Sequence, residues 1–272
     1  MTDAWLAGGS THRHDVMTSS TSQQLIGRTA VVTGSSSGIG AAIGTTLAAH
    51  GASVIISGRD AARGAAVVDR ITADGGMATF VSVDLCSSYQ DIRDFARAAN
   101  VALGGRVDIL VNNAGIYPAT ATADLPDDQL DAMLAVNVRA PHVLVGELAP
   151  SMAERGSGVI VNIGSWMAAM GSPFAAMYSA TKAADEQLVR SWAAEFGPRG
   201  VRVNALAPGA TLTPGNEDAR SVLDSMTAGT PAGKVLSPQN IADGVLFLVS
   251  DSAAMVHGTT LYVDGGIAVT RG

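Results

Sequence analysis

The chain has 272 residues, 47% hydrophobic, 15% charged and 4% aromatic, a balance that excludes wholesale disorder; its Gly 31 and Pro 10 follow no fibrous period. A formal charge of −7 disfavours nucleic acid or an anionic membrane as the main partner and leaves a small molecule as the expected one. The single cysteine, Cys86, excludes an internal disulfide and suits a reducing cytoplasm, and the longest apolar run, around residues 245–249, is far short of the ~20 residues of a spanning helix.

Residues 1–24 are rich in Ser, Thr and His and lack the apolar stretch of a secretory signal, so they read as a disordered extension. Its His12, Arg13 and His14 read as solvated side chains, and no metal site is expected. Residues 25–272 are expected to form one domain. Short β-branched runs at 30–33, 53–57, 79–83, 107–111, 159–163, 201–206 and 260–263 predict seven strands. Between them apolar residues recur at helical spacing, as in Ile39, Ile43 and Leu47, or Leu188, Trp192 and Phe196. Such alternation dictates an α/β fold, a doubly wound seven-stranded parallel sheet with helices on both faces. Ligands of these sheets gather at the carboxyl ends of the strands where the strand order reverses, so strand-end residues carry the functional reading.

The first strand runs into Thr33, Gly34, Ser35, Ser36, Ser37, Gly38, Ile39 and Gly40, with a helix starting at about Gly38. Bare N–H groups and the positive end of the helix dipole make an anion site there, and glycines let a pyrophosphate approach the backbone. Gly-x-x-x-Gly-x-Gly between strand and helix points to a Rossmann-like dinucleotide site. Enzymes that prefer NAD place a carboxylate at the end of the second strand for the ribose 2′-hydroxyl. Gly58 stands there instead, followed by Arg59, whose guanidinium suits a 2′-phosphate; NADP(H) is therefore expected ahead of NAD(H). Asp60 either caps the next helix or pairs with Arg59. Asp84 and Leu85 follow the third strand at the expected adenine end, where Asp84 either accepts from the adenine amino group or caps a helix. After the fourth strand, Asn112, Asn113, Ala114 and Gly115 either let a ribose lie against the backbone or form an Asx turn.

Tyr178 and Lys182 stand four apart in a helical stretch and share one face. A free tyrosine titrates near pH 10, and an ammonium with an oxidised nicotinamide nearby would favour its phenolate, suiting it to exchange a proton with an alcohol or carbonyl oxygen as hydride moves. Taken alone the pair is a weak signal. Ser165, after the fifth strand, is placed to hydrogen-bond the substrate oxygen, or is a turn serine. Asn137 lies in a helical stretch four residues before Pro141, which has no N–H to offer the Asn137 carbonyl. That carbonyl is expected to hold a water linking Lys182 to solvent, unless the stretch is merely a kinked helix with a solvated amide.

Thr33, Gly34, Gly38, Ile39 and Gly40, then Asn112, Asn113, Ala114 and Gly115, Asn137, Ser165, Tyr178, Lys182, Pro208 and Gly209 together resemble the short-chain dehydrogenase/reductase family, in its shorter single-domain form. The resemblance covers essentially everything after Leu25. It implies Tyr178 as acid/base, Lys182 holding the nicotinamide ribose and tuning the tyrosine, Ser165 orienting substrate and Asn137 supporting the water path. It further implies a coenzyme contact through the Thr211 backbone and the Thr213 side chain. Residues 262–266 resemble the family's last strand and turn. Two positions depart from common patterns: Ser37 stands where NADP(H)-preferring members often carry a basic residue, and Ala194 precedes Glu195 where reductases of carrier-bound acyl chains tend to have arginine.

Between Ser165 and Tyr178, the residues Trp166, Met167, Met170, Phe174 and Met177 are expected to line an adaptable cleft for apolar or mixed carbonyl compounds, with part of them serving as ordinary packing. A segment with Gly215 and Gly229 is expected to close over substrate. The resemblance implies a homodimer or homotetramer. The expected activity is hydride transfer between NADP(H) and a ketone or secondary alcohol; the alternatives are an NAD(H)-preferring alcohol or polyol dehydrogenase and a non-catalytic dinucleotide sensor. A methyltransferase would share the glycine turn but has no use for the Tyr and Lys pair.

Overall fold

A computed structural model describes residues 23–270, so the expectations for residues 1–22, the His12 cluster included, lie outside the described residues. The seven expected strands form with their ends shifted by at most two residues: β1 (Thr29–Val32), β2 (Ser53–Gly58), β3 (Met77–Ser82), β4 (Ile109–Asn112), β5 (Gly158–Ile163), β6 (Val201–Pro208) and β7 (Thr260–Val263). All pair in parallel in the order β3-β2-β1-β4-β5-β6-β7. Because β1 neighbours both β2 and β4, the connections diverge at the ends of β1 and β4, which opens the ligand crevice.

Strand side chains alternate between two cores. Ala30, Val32, Val54, Ile56, Ile109, Val111 and Val161 pack under α1 (Gly38–Ala49), α2 (Ala61–Ala73) and α8 (Pro238–Val249). Val31, Ile55, Leu110, Ile160 and Val203 pack under α3 (Tyr89–Ala102), α5 (Ala140–Glu154) and α6 (Ala176–Phe196). The inner strands β1, β2, β4, β5 and β6 are buried on both faces and read as continuous β-branched runs, while the edge strands β3 and β7 are partly exposed. The remaining helices are α4 (Asp127–Leu134), α7 (Arg220–Thr227) and the short α9 (Ile267–Thr270).

The stretch around Asn137 is a π-helical turn, Ala135–Arg139, running into α5 with Pro141 in its first turn. A π turn next to a proline is a usual way to absorb a lost intrahelical bond. Among the described residues no helix is long and apolar enough to cross a membrane, and no cluster of three or more His, Cys, Asp or Glu side chains is arranged to hold a metal.

Candidate active site

The glycine turn is braced from both neighbouring strands. Ser35 Oγ donates to Val32 O (2.7 Å) and accepts from Ser57 N–H (2.8 Å). Asn113 Nδ2 donates to Thr33 O (2.9 Å) and Gly34 O (3.2 Å), while Thr33 Oγ1 accepts from the backbone N–H of Asn113 and Ala114. Asn113 thus acts chiefly as a strut that holds two strand ends together. At the start of α1, Ser37 gives no side-chain cap and the first turn carries no acid, so the positive helix end faces the crevice without a protein counter-charge. This fits a pyrophosphate-bearing dinucleotide.

Gly40 is required by space. A Cβ there would lie 2.4 Å from Gly34 O and 2.5 Å from Asn113 Nδ2, in the bracing itself. Gly40→Ala is expected to cost about 1–3 kcal/mol of stability by overpacking and to weaken NADPH binding by distorting the turn. Thermal melts and fluorescence titration with NADPH check this; unchanged coenzyme affinity would dissociate the turn from the binding site.

At the end of β2 the two alternatives for Asp60 resolve. Its carboxylate accepts from Arg63 N–H (3.0 Å) as the N-cap of α2 and pairs with Arg63 Nε (2.8 Å), and the Arg63 backbone N–H foremost holds its titration below the ordinary carboxylate range. Arg59 is not its partner. The Arg59 side chain is exposed and makes no hydrogen bond or ion pair among the described residues. A Cβ on Gly58 would lie 2.8 Å from Ser36 Oγ, so Ser36 occupies the space an acidic side chain at 58 would need.

The helix-capping alternative for Asp84 is corrected. β3 ends two residues earlier, Asp84 Oδ1 accepts from Cys86 N–H (2.9 Å) in a local turn, and Ser88 caps α3 through a reciprocal box with Asp91. Leu85 is buried in the core, which leaves its backbone alone to serve a ligand.

A cleft of about 1010 Å³ gathers residues from the loops after β4, β5 and β6 and from α1 and α6: Ile39, Asn113, Gly115, Ser165, Tyr178, Lys182, Pro208, Gly209, Thr211 and Thr213 all line it. Gly34, Ser36, Ser37, Gly40, Arg59, Asp84, Leu85 and Ala114 do not line this cavity; they lie along the strand ends and turn that continue the crevice. Asn137 sits behind it. Contrary to the solvated-amide alternative, Asn137 is buried, and its side chain accepts from Ile116 N–H (2.9 Å) and donates to Ile116 O and Thr181 Oγ1 (both 3.1 Å). It therefore fixes the loop after β4 to α6, the helix that carries Tyr178 and Lys182.

Ser165 lies two residues beyond β5. Its Oγ accepts from Met167 N–H (3.2 Å), so its own O–H is free to donate toward the cleft. The Tyr178 hydroxyl has no protein hydrogen-bond partner among the described residues, and its ring packs on Tyr117 with centroids 4.6 Å apart. Lys182 is buried, with Nζ donating to Ile163 O (2.8 Å) and lying 3.5 Å from Asp185 Oδ2.

Two site residues escaped the sequence reading. Asp185 is fully buried one turn beyond Lys182, and its other oxygen accepts from Asn162 Nδ2 (3.0 Å), whose Oδ1 accepts from Asn112 Nδ2 (2.9 Å). Burial raises its titration to about 6, with Glu186 adding to the rise and Lys182 opposing it. The available signal was an acid inside the buried stripe of Lys182, Val189, Trp192 and Phe196. The second is Asn216, whose Oδ1 accepts from Thr213 N–H (2.7 Å) and Oγ1 (3.1 Å) and whose Nδ2 donates to Thr211 O (3.0 Å), so it shapes the loop expected to meet the coenzyme. Met177 does not line the cleft, whereas Trp166, Met167, Met170 and Phe174 do. The segment expected to close over substrate is a short 3-10 turn, Glu217–Ala219, followed by α7.

A family model described as enoyl-(acyl carrier protein) reductase matches residues 34–268. An uncharacterized oxidoreductase of Methylorubrum extorquens is 39% identical, the match covering 90% of this chain and 99% of that protein. An L-rhamnose 1-dehydrogenase (NAD(P)(+)) of Sphingomonas sp. is 37% identical over 90% and 98%. Among solved structures, a putative NAD(P) dependent gluconate 5-dehydrogenase from Beutenbergia cavernae with bound NADP superposes with a TM-score of 0.84 at 38% identity, over 91% of this chain and 99% of the other. With this likeness running the length of the sheet and through the glycine turn to the Tyr178 helix, the chain belongs to the short-chain dehydrogenase/reductase family.

Proposed function

We propose that this enzyme transfers hydride between NADP(H) and a ketone or secondary alcohol, with Tyr178 as the acid/base. The observation that carries the reading is one cleft in which a partnerless phenol, the free O–H of Ser165 and the buried ammonium of Lys182 meet the loops of the coenzyme crevice. When bound, the nicotinamide supplies or accepts the hydride. Ser165 donates to the substrate oxygen and fixes its distance from the phenol. Tyr178 gives that oxygen a proton in reduction and takes it in oxidation. Lys182 holds the coenzyme ribose and favours the charged phenolate, and Asn137 holds the loop that keeps the helix in place. The proton path through a water at the Asn137 carbonyl has support from the π turn and from Pro141, which has no N–H for that carbonyl. Following coenzyme absorbance with a ketone panel, in both coenzymes, tests the reading; absence of coenzyme-dependent turnover would reject it.

The NADP(H) preference rests on the unpaired Arg59 and on Ser36 filling the space against Gly58. Ser37 and a relative named for NAD(P)(+) keep NAD(H) as the second reading. Arg59→Glu is expected to lower kcat/KM for NADPH at least about 100-fold by replacing a charge-assisted pair with repulsion, and to change that for NADH less than about tenfold. Equal losses with both coenzymes would show that Arg59 does not read the 2′-phosphate. The same reading includes a cytoplasmic location, which the single cysteine suits, and a homodimer or homotetramer, supported by the exposed Tyr89 and Leu134 on α3 and α4 and checked by sedimentation.

A further inference from the structure

The substrate end of the cleft carries few polar groups and none that is charged. Besides Ser165, Tyr178 and Ser172 its walls are Trp166, Met170 and Phe174 from the β5–α6 connection, Val222 and Met226 from α7, and Tyr117 from the loop after β4. Three of these large apolar side chains at the mouth are strongly exposed, Phe174 at 62%, Val222 at 58% and Tyr117 at 50%. A monomer surface rarely leaves such residues together unless something covers them. The Tyr117 hydroxyl is raised above its ordinary range by burial and by the neighbouring Tyr178, so it stays uncharged.

Lys182 is the one charged side chain lining the cleft among the described residues, and its ammonium is held by Ile163 O and Asp185. No cation is left for a carboxylate or phosphate on the substrate. Most polar side chains that could serve substrate hydroxyls are used internally, Asn216 by Thr211 and Thr213 and Thr211 Oγ1 by Gly209 O, which leaves the neutral hydroxyls of Ser172 and Tyr117. Glu217 and Asp218 are exposed on the segment leading to α7, and the Arg220 that follows them faces Asp224 at 3.9 Å, so this segment is acidic on balance.

We infer that the enzyme takes an uncharged, mainly apolar carbonyl compound or secondary alcohol of at least ring size, and that it discriminates against anionic and polyhydroxylated substrates. This separates it from its relatives named for a sugar and a sugar acid. A carboxylate bound here would lose its water without gaining a cation and a polyol would gain few partners, whereas a hydrocarbon ring covers the exposed aromatic rim. The inference rests on the dehydrogenase reading.

The test uses the full chain with NADPH and, in parallel, NADH, and compares a bicyclic decalone, a ketogluconate and the small reactive diketone diacetyl. The decalone is expected to exceed ketogluconate in kcat/KM by at least about 100-fold, mostly through KM, since burying a carboxylate without a cation and several hydroxyls with few partners costs their hydration. Ketogluconate equal to or better than the decalone would overturn the inference. Diacetyl reduced without decalone reduced would also overturn it while leaving the dehydrogenase reading intact; none of the three reduced with either coenzyme would reject that reading and the inference with it. Val222→Arg, at an exposed position, is expected to shift the ratio toward ketogluconate at least about tenfold by supplying the missing cation. A ratio unmoved by that variant, in protein with unchanged circular dichroism, would show that the rim does not set specificity.

Discussion

Tyr178→Phe is expected to lower kcat/KM for ketone reduction by about 1000-fold while the protein stays folded and binds coenzyme. The variant keeps the ring that packs on Tyr117 at 4.6 Å and removes only a hydroxyl without a protein partner, so no buried group is left unsatisfied. The loss is then that of the proton transfer and falls on the chemical step. Single-turnover measurements with circular dichroism and NADPH titration as controls separate this from unfolding. Turnover within about tenfold of the parent would remove the acid/base assignment, because positioned proton transfer is worth more than that.

Asp185→Asn is expected to make the protein more stable near neutral pH and less active. The Asp185 carboxyl, raised by burial from an ordinary 3.8 to about 6, binds a proton more readily in the folded chain than in the unfolded one. Between pH 3.8 and about 6 the folded state therefore carries more protons, and the group's contribution to stability falls as pH rises through that window. At about 1.4 kcal/mol per pH unit the whole window is worth about 3 kcal/mol. Relative to the parent, the variant should gain about 2 kcal/mol between pH 4.5 and pH 7.5, read from urea unfolding at the two values. A gain of the opposite sign would mean that the attraction of Lys182, 3.5 Å away, outweighs the desolvation of the pair.

The activity of the same variant should move the other way. Lys182 Nζ would keep Ile163 O as acceptor but lose the carboxylate that shares its other side, so the ammonium is held less firmly in the cleft it lines with Tyr178. A fall in kcat/KM of about tenfold is expected; an acid limb near pH 6 is expected in the parent as Asp185 takes up its proton, and the variant should lack it. Glu186, itself raised chiefly by burial, is the other acid bearing on Asp185 and stays in the variant, so a limb that persists unchanged would be assigned to it. A buried charge that lowers stability beside the reacting groups is an expected form of the trade between stability and activity.

The sheet was legible in the sequence, because its inner strands, buried on both faces, read as continuous β-branched runs and the helices between strands carry a 3.6-residue stripe. The sequence also determined the glycine turn and the spacing of Tyr178 and Lys182, since both lie within single elements whose geometry is local. The tertiary structure alone decided what those groups touch. Asn137 lies 21 residues from Ile116 and 44 from Thr181, and the Asn112, Asn162 and Asp185 chain crosses two strands and a helix; no local pattern encodes such contacts. The roles of Asp60 and Asp84 depended on which neighbouring N–H each carboxylate reached, and the apolar substrate end of the cleft depended on three loops converging. Periodicity fixes which way a side chain faces along its own element, whereas the partner it meets is set by the packing of elements remote in the chain.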